Sequence, residues 1–451
     1  MLTYLRRLWS AATRTTRRRV ASGLVLAVLV AGSLLVVTGG DEGPSATATG
    51  PGPTTAVATN EVGVTGGRAT TTPRGRTPAA TSKATTTTTT TAPGASLGPT
   101  APPSGAGPPT APPSAAGPPT APPSAAGPPT TLPPTPPAGS LRFLPEDAPD
   151  NGSRAPLTGL PVVDPSLLGR AALAIKIDNL DIAGETARPQ TGLAFADVVV
   201  EEVVEGGITR FVAILHSTDS PEAGPVRSAR TTDVHLLPIL GRPLFAYSGG
   251  NPGVLDAVRR SPSIVDRGGE WAPAYARVQG RRPPHNLYVR PWEIWARGEG
   301  STTPPPLGPF RPRGEGSPIG EPVRGVNVAF DGIAAAGVSW SWLPEDRRWL
   351  RQQGGSTHVD GAGWTVGPRN VVVMFTQYVA SPADPRSPEG ITVGSGEAWV
   401  FTDGKLVMAS WSRPSEAAPL TFLDGAGVPI PLSAGRTWIE LVRPGTAGLV
   451  R

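Results

Sequence analysis

The sequence predicts an α+β protein, with a mixed α/β N-terminal lobe built around an antiparallel hairpin and a β-rich C-terminal lobe. Three observations carry that expectation. From about Leu141 onward apolar runs of strand length recur to the last residues. Helix-like stretches interrupt them in the first part only, which favours segregated α and β over strict alternation. Before Leu141 the composition is of another kind, an uncharged apolar run followed by Thr, Pro, Ala and Gly, which reads as a transmembrane helix and a disordered Pro/Thr-rich stalk.

Residues 1–19 form a basic tail, and residues 20–40 carry no charge at all. At about 1.5 Å per residue such a run spans roughly 31 Å as a helix, enough to cross a hydrocarbon core. Arg17, Arg18 and Arg19 precede it, and Asp41 and Glu42 follow. That asymmetry orients the helix with its N-terminus in the cytoplasm and everything after Asp41 outside, as a single-pass protein of the cell membrane. The competing reading is a cleaved signal peptide, for which Ala46-Thr47-Ala48 offers small residues; the run is longer than such peptides use, and the site lies well beyond it.

Residues 41–140 contain 23 prolines, a run of threonines at 85–91 and no Phe, Trp or Tyr. They have nothing with which to build a core. Three ten-residue units, APPSGAGPPT and twice APPSAAGPPT, fill residues 101–130 and read as a polyproline II spacer. The net charge of +5 divides unevenly: +6 on residues 1–40, +1 on 41–140 and −2 on the remainder. The folded region therefore offers no general footprint for nucleic acid. There is no cysteine, which excludes disulfide scaffolds, thiolate metal sites and cysteine nucleophiles.

A Pro/Gly-rich break at 297–322 separates two lobes, 141–296 and 323–451, each long enough for a core of its own. In the first, residues 172–178 alternate like a strand, and 198–204 and 208–216 form a hairpin whose Gly206 and Gly207 suit positive φ angles. A helix is expected over 228–237, capped by Ser228 and ended by Pro238, then a strand over 243–248 and a helix over 254–259. In the second lobe 325–330, 370–377, 397–401, 405–410 and 437–442 read as strands, with Asp403-Gly404 as a hairpin turn.

The period of a strand places Glu201 and Glu205 on one face with Val199 and Val203, and Glu202 on the other with Val198, Val200 and Val204. Carboxylates in an apolar strand need partners. Arg210, Arg227 and Arg230 are at hand. They could close an internal network that fixes the hairpin against the helix. Alternatively Arg227, Ser228 and Arg230 at the helix start, backed by Arg210, form an anion-binding cleft with Glu201 and Glu205 on its rim. Secondary candidates are Arg188 and Gln190, His285 and Asn286, and His358 and Asp360. Arg188 and Gln190 read as structural, bonding backbone in a buried loop, whereas His358 and Asp360 would share a strand face and could orient a base or ligate a metal. With no third ligand neither a metal nor another cofactor is expected. His216 and His235 read as core or helix-surface residues. Ten of the eleven tryptophans follow residue 270 and read mainly as core. No G-x-S-x-G, H-E-x-x-H, P-loop or dinucleotide fingerprint occurs.

The strings PLTGLPV, the IDN at 177–179, ARPQTGL, ADVVVEEVVEGGITRF, GPVRSAR, PPHNLY, THVDG, NVVVMF, GSGEAWVFTDGK and GRTWIEL appear in that order between residues 155 and 442. Together they resemble the YerB-like family of bacterial envelope lipoproteins, a two-part domain of unknown function. The resemblance implies an α+β first lobe, a β-rich second lobe and an exported, membrane-attached protein; it implies no catalytic residues. One departure is plain. Without a cysteine this chain has nothing to carry the lipid, so the apolar helix and the stalk are expected to take its place.

The expectation for function is a non-catalytic module outside the membrane, held on the bilayer through residues 20–40, that binds an anionic cell-wall polymer or another envelope protein through the Arg227/Arg230 region. The alternative is a wall hydrolase or transferase using carboxylates of the 201–205 strand. Against the alternative, Glu201 and Glu205 would stand about 13 Å apart along a strand, too far for the usual carboxylate pair of a retaining or inverting glycosidase.

Overall fold

The computed structural model describes residues 131–137, 139–182, 184–269, 273–330 and 337–451. Residues 20–40 and the stalk up to 130, with the anchor and spacer readings attached to them, lie outside the described residues. Among the described residues no helix is long and apolar enough to cross a membrane.

The described chain is mostly β. Its α-helices are short, Thr231–Leu236, Pro252–Arg260 and Pro291–Trp295, so the expected α+β balance shifts toward strands. A mixed sheet of eleven strands forms the centre, in the order Glu321–Pro322, Lys405–Arg413, Gly394–Thr402, Asn370–Phe375, Thr437–Val442, Val198–Val203, Thr209–Leu215, Leu173–Asp178, Leu244–Ala246, Val265–Asp266, with Thr421–Leu423 added on Lys405–Arg413. The two halves of the chain meet inside it. There Val198–Val203 runs parallel to Thr437–Val442, with Glu201 opposite Glu440. Near-continuous Val and Ile runs suit strands covered on both faces, and both of these strands are buried along their whole length.

A second sheet, in the order Ser356–Thr357, Arg348–Gln353, Val338–Leu343, Gly325–Val328, Ala447–Val450, packs on one face of the first. Val326, Val328, Trp340 and Trp349 from it pack with Ile175, Phe211, Val371, Phe401 and Trp438. The opposite face of the central sheet buries Val200, Ile214, Phe245, Val372 and Ile439 under Leu236, Val254 and Val258 of the helices. Each core thus draws on both halves of the chain, where the sequence led us to expect one core per half. Trp340, Trp349, Trp411 and Trp438 lie in these cores, whereas Trp292 is exposed.

Two turns follow their residues closely. Gly206 and Gly207 have φ of 70° and 71°, and Asp403 and Gly404 have φ of 52° and 74°, the doubly positive pattern that returns a strand on itself with the native twist. The helix expected over 228–237 departs from expectation. It begins only at Thr231 and gives way to a 3-10 turn, Leu237–Leu240, that contains Pro238. The reason lies in the backbone of 227–229, whose groups are spent elsewhere: Arg227 N–H donates to Lys176 O, Ala229 N–H to Gly249 O, and Arg227 O accepts from Ser248 N–H. The Pro/Gly-rich 297–322 stretch is also partly structured, giving Phe310–Arg311, which pairs with Leu432–Ser433, and the edge strand Glu321–Pro322.

Candidate functional site

Val198–Val203 crosses the middle of the molecule and presents its two glutamates to opposite layers. Glu201 faces the second sheet, where Oε2 accepts from Arg351 at 2.7 Å and Oε1 accepts from Thr209 Oγ1 at 2.7 Å and Asn179 Nδ2 at 3.1 Å. Arg351 donates also to Gln353 Oε1 at 2.9 Å and stands 2.8 Å from His358 Nδ1. The rings of Trp438 and Phe211 lie 4.9 and 5.2 Å from its guanidinium carbon. Glu440, the register partner of Glu201, is pushed well above the usual carboxylate range by burial and by the Glu201 charge; it accepts from Trp340 Nε1 at 2.8 Å. On the other face Glu202 pairs with Lys176, which also bonds Asp233 at 2.7 Å. Burial first, and Asp233 second, push Glu202 up to about 7.

The arginines gather at the end of this strand pair. Arg210 stands opposite both Asp178 and Glu202 in the ladders and is buried. Its hydrogen bond goes to Ser228 O at 2.8 Å, and its Nε finds no partner. Burial, and after it the charges of Arg230 and Arg227, push Arg210 down to about 9. Arg227 pairs with Asp178 at 3.1 Å and keeps a fifth of its side chain exposed. Arg230 pairs with the half-exposed Glu205 and donates to Ala229 O at 2.7 Å. His285 adjoins the group, with Nδ1 2.6 Å from Asp178 and Nε2 2.8 Å from Glu185.

The expected cleft is therefore redistributed. Glu201 is enclosed with Arg351 and lines no rim, and Glu205 belongs to the turn Glu205–Gly207 beyond the strand. The six-residue helix starting at Thr231 supplies no N-terminal seat, because Asp233 takes the Arg230 N–H at 2.7 Å. What remains together is Arg210, Arg227, Ser228 and Arg230. Among the secondary candidates, Arg188 holds Ser356 Oγ and the Thr357 carbonyl at 3.0 and 3.1 Å. Gln190 donates to Asp178 O at 3.0 Å and stands 2.9 Å from His358 Nε2. Asn286 accepts from Arg277 at 2.9 Å. His358 and Asp360 are both buried with the exposed Val359 between them, the alternation expected of a shared face, but their side chains take separate partners: His358 meets Arg351 and Gln190, and Asp360 accepts from the N–H groups of Ala362 and Ala194.

Sequence reasoning passed over Lys176, Asp178, Asn179, Asp233, Arg351 and Glu440. A usable signal was present for some of them. A lone charge inside an apolar strand, as in ALAIKID or TWIELV, demands a buried partner of opposite charge or a proton.

Residues 157–303 match the N-terminal domain, and residues 326–439 the C-terminal domain, of the protein family of unknown function DUF3048. The chain is 26% identical over 307 residues to the candidate lipoprotein YerB of Bacillus subtilis (strain 168), covering 64% of this chain and 86% of that protein. The crystal structure of YerB from Bacillus subtilis is similar in fold, with a TM-score of 0.57 at 24% identity, covering 66% of this chain and all of that one. With both domain matches in order along the folded region, this chain belongs to the DUF3048 family, the two-part YerB-like domain of unknown function.

Proposed function

We propose that this protein is an envelope-associated, extracytoplasmic binding module that takes an anionic group of a wall polymer or of another envelope protein on Arg210, Arg227 and Arg230. The observation that carries the reading is Arg210. A buried guanidinium without an ion pair is costly, and other buried arginines here are better satisfied: Arg413 reaches the carbonyls of His235, Thr392 and Glu416, and Arg311 bonds Pro431 O, Thr402 Oγ1 and Ser433 Oγ. Arg210 has a single hydrogen bond, to the Ser228 carbonyl, and the charges of Arg230 and Arg227 beside it outweigh those of Asp178 and Glu205. A carboxylate or phosphate entering past Arg227 would offset the excess of positive charge. The family resemblance to a candidate lipoprotein supports an envelope location, and residues 20–40 would hold the protein in the bilayer by a single pass, with the stalk as spacer.

The test is binding of the purified full chain to isolated wall fragments. Arg227→Ala should weaken retention about tenfold or more, the effect of losing one charge-assisted contact, and higher salt should weaken the parent in the same sense. Equal retention by parent and variant would remove the assignment.

A further inference from the structure

The outer face of the second sheet carries a second recognition surface, and its occupant is visible. Residues 131–137 read TLPPTPP. From Leu132 to Pro136 every residue is a proline or precedes one, which confines the backbone to extended, polyproline II geometry. Such a helix repeats every three residues at about 3.1 Å each, so the carbonyls of Thr131 and Pro134 point to the same side roughly 9 Å apart. Both are bound. Asn327 Nδ2 donates to Thr131 O at 3.0 Å, and Gln352 Nε2 donates to Pro134 O at 3.1 Å.

The spacing of the donors comes from the sheet itself. Asn327 stands opposite Ser339, and Ser339 opposite Gln352, so the three form one row across neighbouring strands. Two strand spacings make roughly 9.6 Å. One turn of polyproline II thus matches two strands, with the segment crossing the strands. The row is oriented beforehand, since Ser339 Oγ donates to Asn327 Oδ1 at 2.6 Å and so turns the amide nitrogen outward. Gln352 is buried, and among the described residues its hydrogen bond is the one to Pro134, its Oε1 having none. Two residues before Asn327, Gly325 lets the Leu132 side chain lie close: a Cβ there would meet the Trp340 carbonyl oxygen of the neighbouring strand at 2.0 Å and Leu132 Cδ1 at 2.9 Å.

We infer that this row is a polyproline II-binding groove, with Asn327 and Gln352 as carbonyl readers and Gly325 as the seat of an apolar residue, and that residues 131–137 of the same chain occupy it. The groove fixes where the proline-rich stalk joins the folded region. It is independent of the arginine site and of any ligand there.

The absence of cysteine in the chain makes a direct test available. Thr135 is exposed, so Thr135→Cys in the full chain accepts a single nitroxide label whose mobility reports docking. A constrained spectrum is expected in this parent. Pro133→Gly with Pro134→Gly keeps the carbonyls but loosens the backbone, and Asn327→Ala with Gln352→Ala removes both donors; each pair should lower the docked-to-free ratio about tenfold. The glycine pair lies outside the sheets, so it decides the matter even where the alanine pair unfolds. A label as constrained in the glycine variant as in the parent, at an unchanged thermal midpoint, overturns the groove.

Discussion

At the scale of single residues, Glu201 and Glu202 show what a strand's period settles and what it leaves open. Their division between two faces follows from the sequence alone, and the structure keeps it, with Arg351 on one side and Lys176 on the other. Glu202 carries a pH dependence. Its carboxyl goes from an ordinary 4.5 to about 7 in the fold, through burial and the nearby Asp233. Between those values the folded protein holds a proton that the unfolded chain has released, so stability falls as pH rises through that window, by on the order of 2–3 kcal/mol. Urea midpoints measured from pH 4.5 to 7.5 should therefore decline more steeply in the parent than in Glu202→Gln; parallel profiles would refute the shift. The partners were beyond sequence reasoning because Arg351 lies 150 positions from Glu201, and no local pattern encodes such a distance.

At the scale of elements, local chemistry made the two glycine-bearing turns and most of the central strands legible. Val338–Leu343 and Arg348–Gln353 were not. They mix Trp, Ser, Arg and Gln because one face packs on the central sheet and the other is a polar row. Asp384–Gly390 contains two prolines, which obscure it as a strand, although it pairs with Tyr378–Ser381 in a two-stranded sheet whose edges tolerate proline. Arg351, in the strand Arg348–Gln353, ties the second sheet to the first. Arg351→Met leaves Glu201 buried without its cation and should cost about 3–5 kcal/mol, whereas adding Glu201→Leu to it should restore a large part of that loss. Chemical denaturation of the two single variants and the double variant measures the coupling. Strictly additive losses would mean that the pair does not join the sheets.

At the scale of the whole molecule, the joint between Val198–Val203 and Thr437–Val442 was invisible to sequence reasoning, since parallel strands from distant segments share no turn that would announce their register. Its consequence is cooperativity. The two family domains are separate in sequence, yet they complete one sheet and bury both cores jointly. Glu146 adds a tie from the chain just before the first domain to the second half. Burial would raise its carboxyl, but Arg348, Arg436 and Arg369 outweigh that and hold it below the usual range. Neither half can then leave without opening a sheet interior and orphaning buried charge. Ile439 sits at the joint with 1% of its surface exposed, and Ile439→Ala should cost about 2–5 kcal/mol. In a single cooperative unit that loss is shared. Amide exchange should thus accelerate by the same factor in Leu173–Asp178 as in Asn370–Phe375, one strand from each half. Slower-exchanging amides retained in the first half alone would show that the halves open separately and that the shared sheet does not bind them into one folding unit.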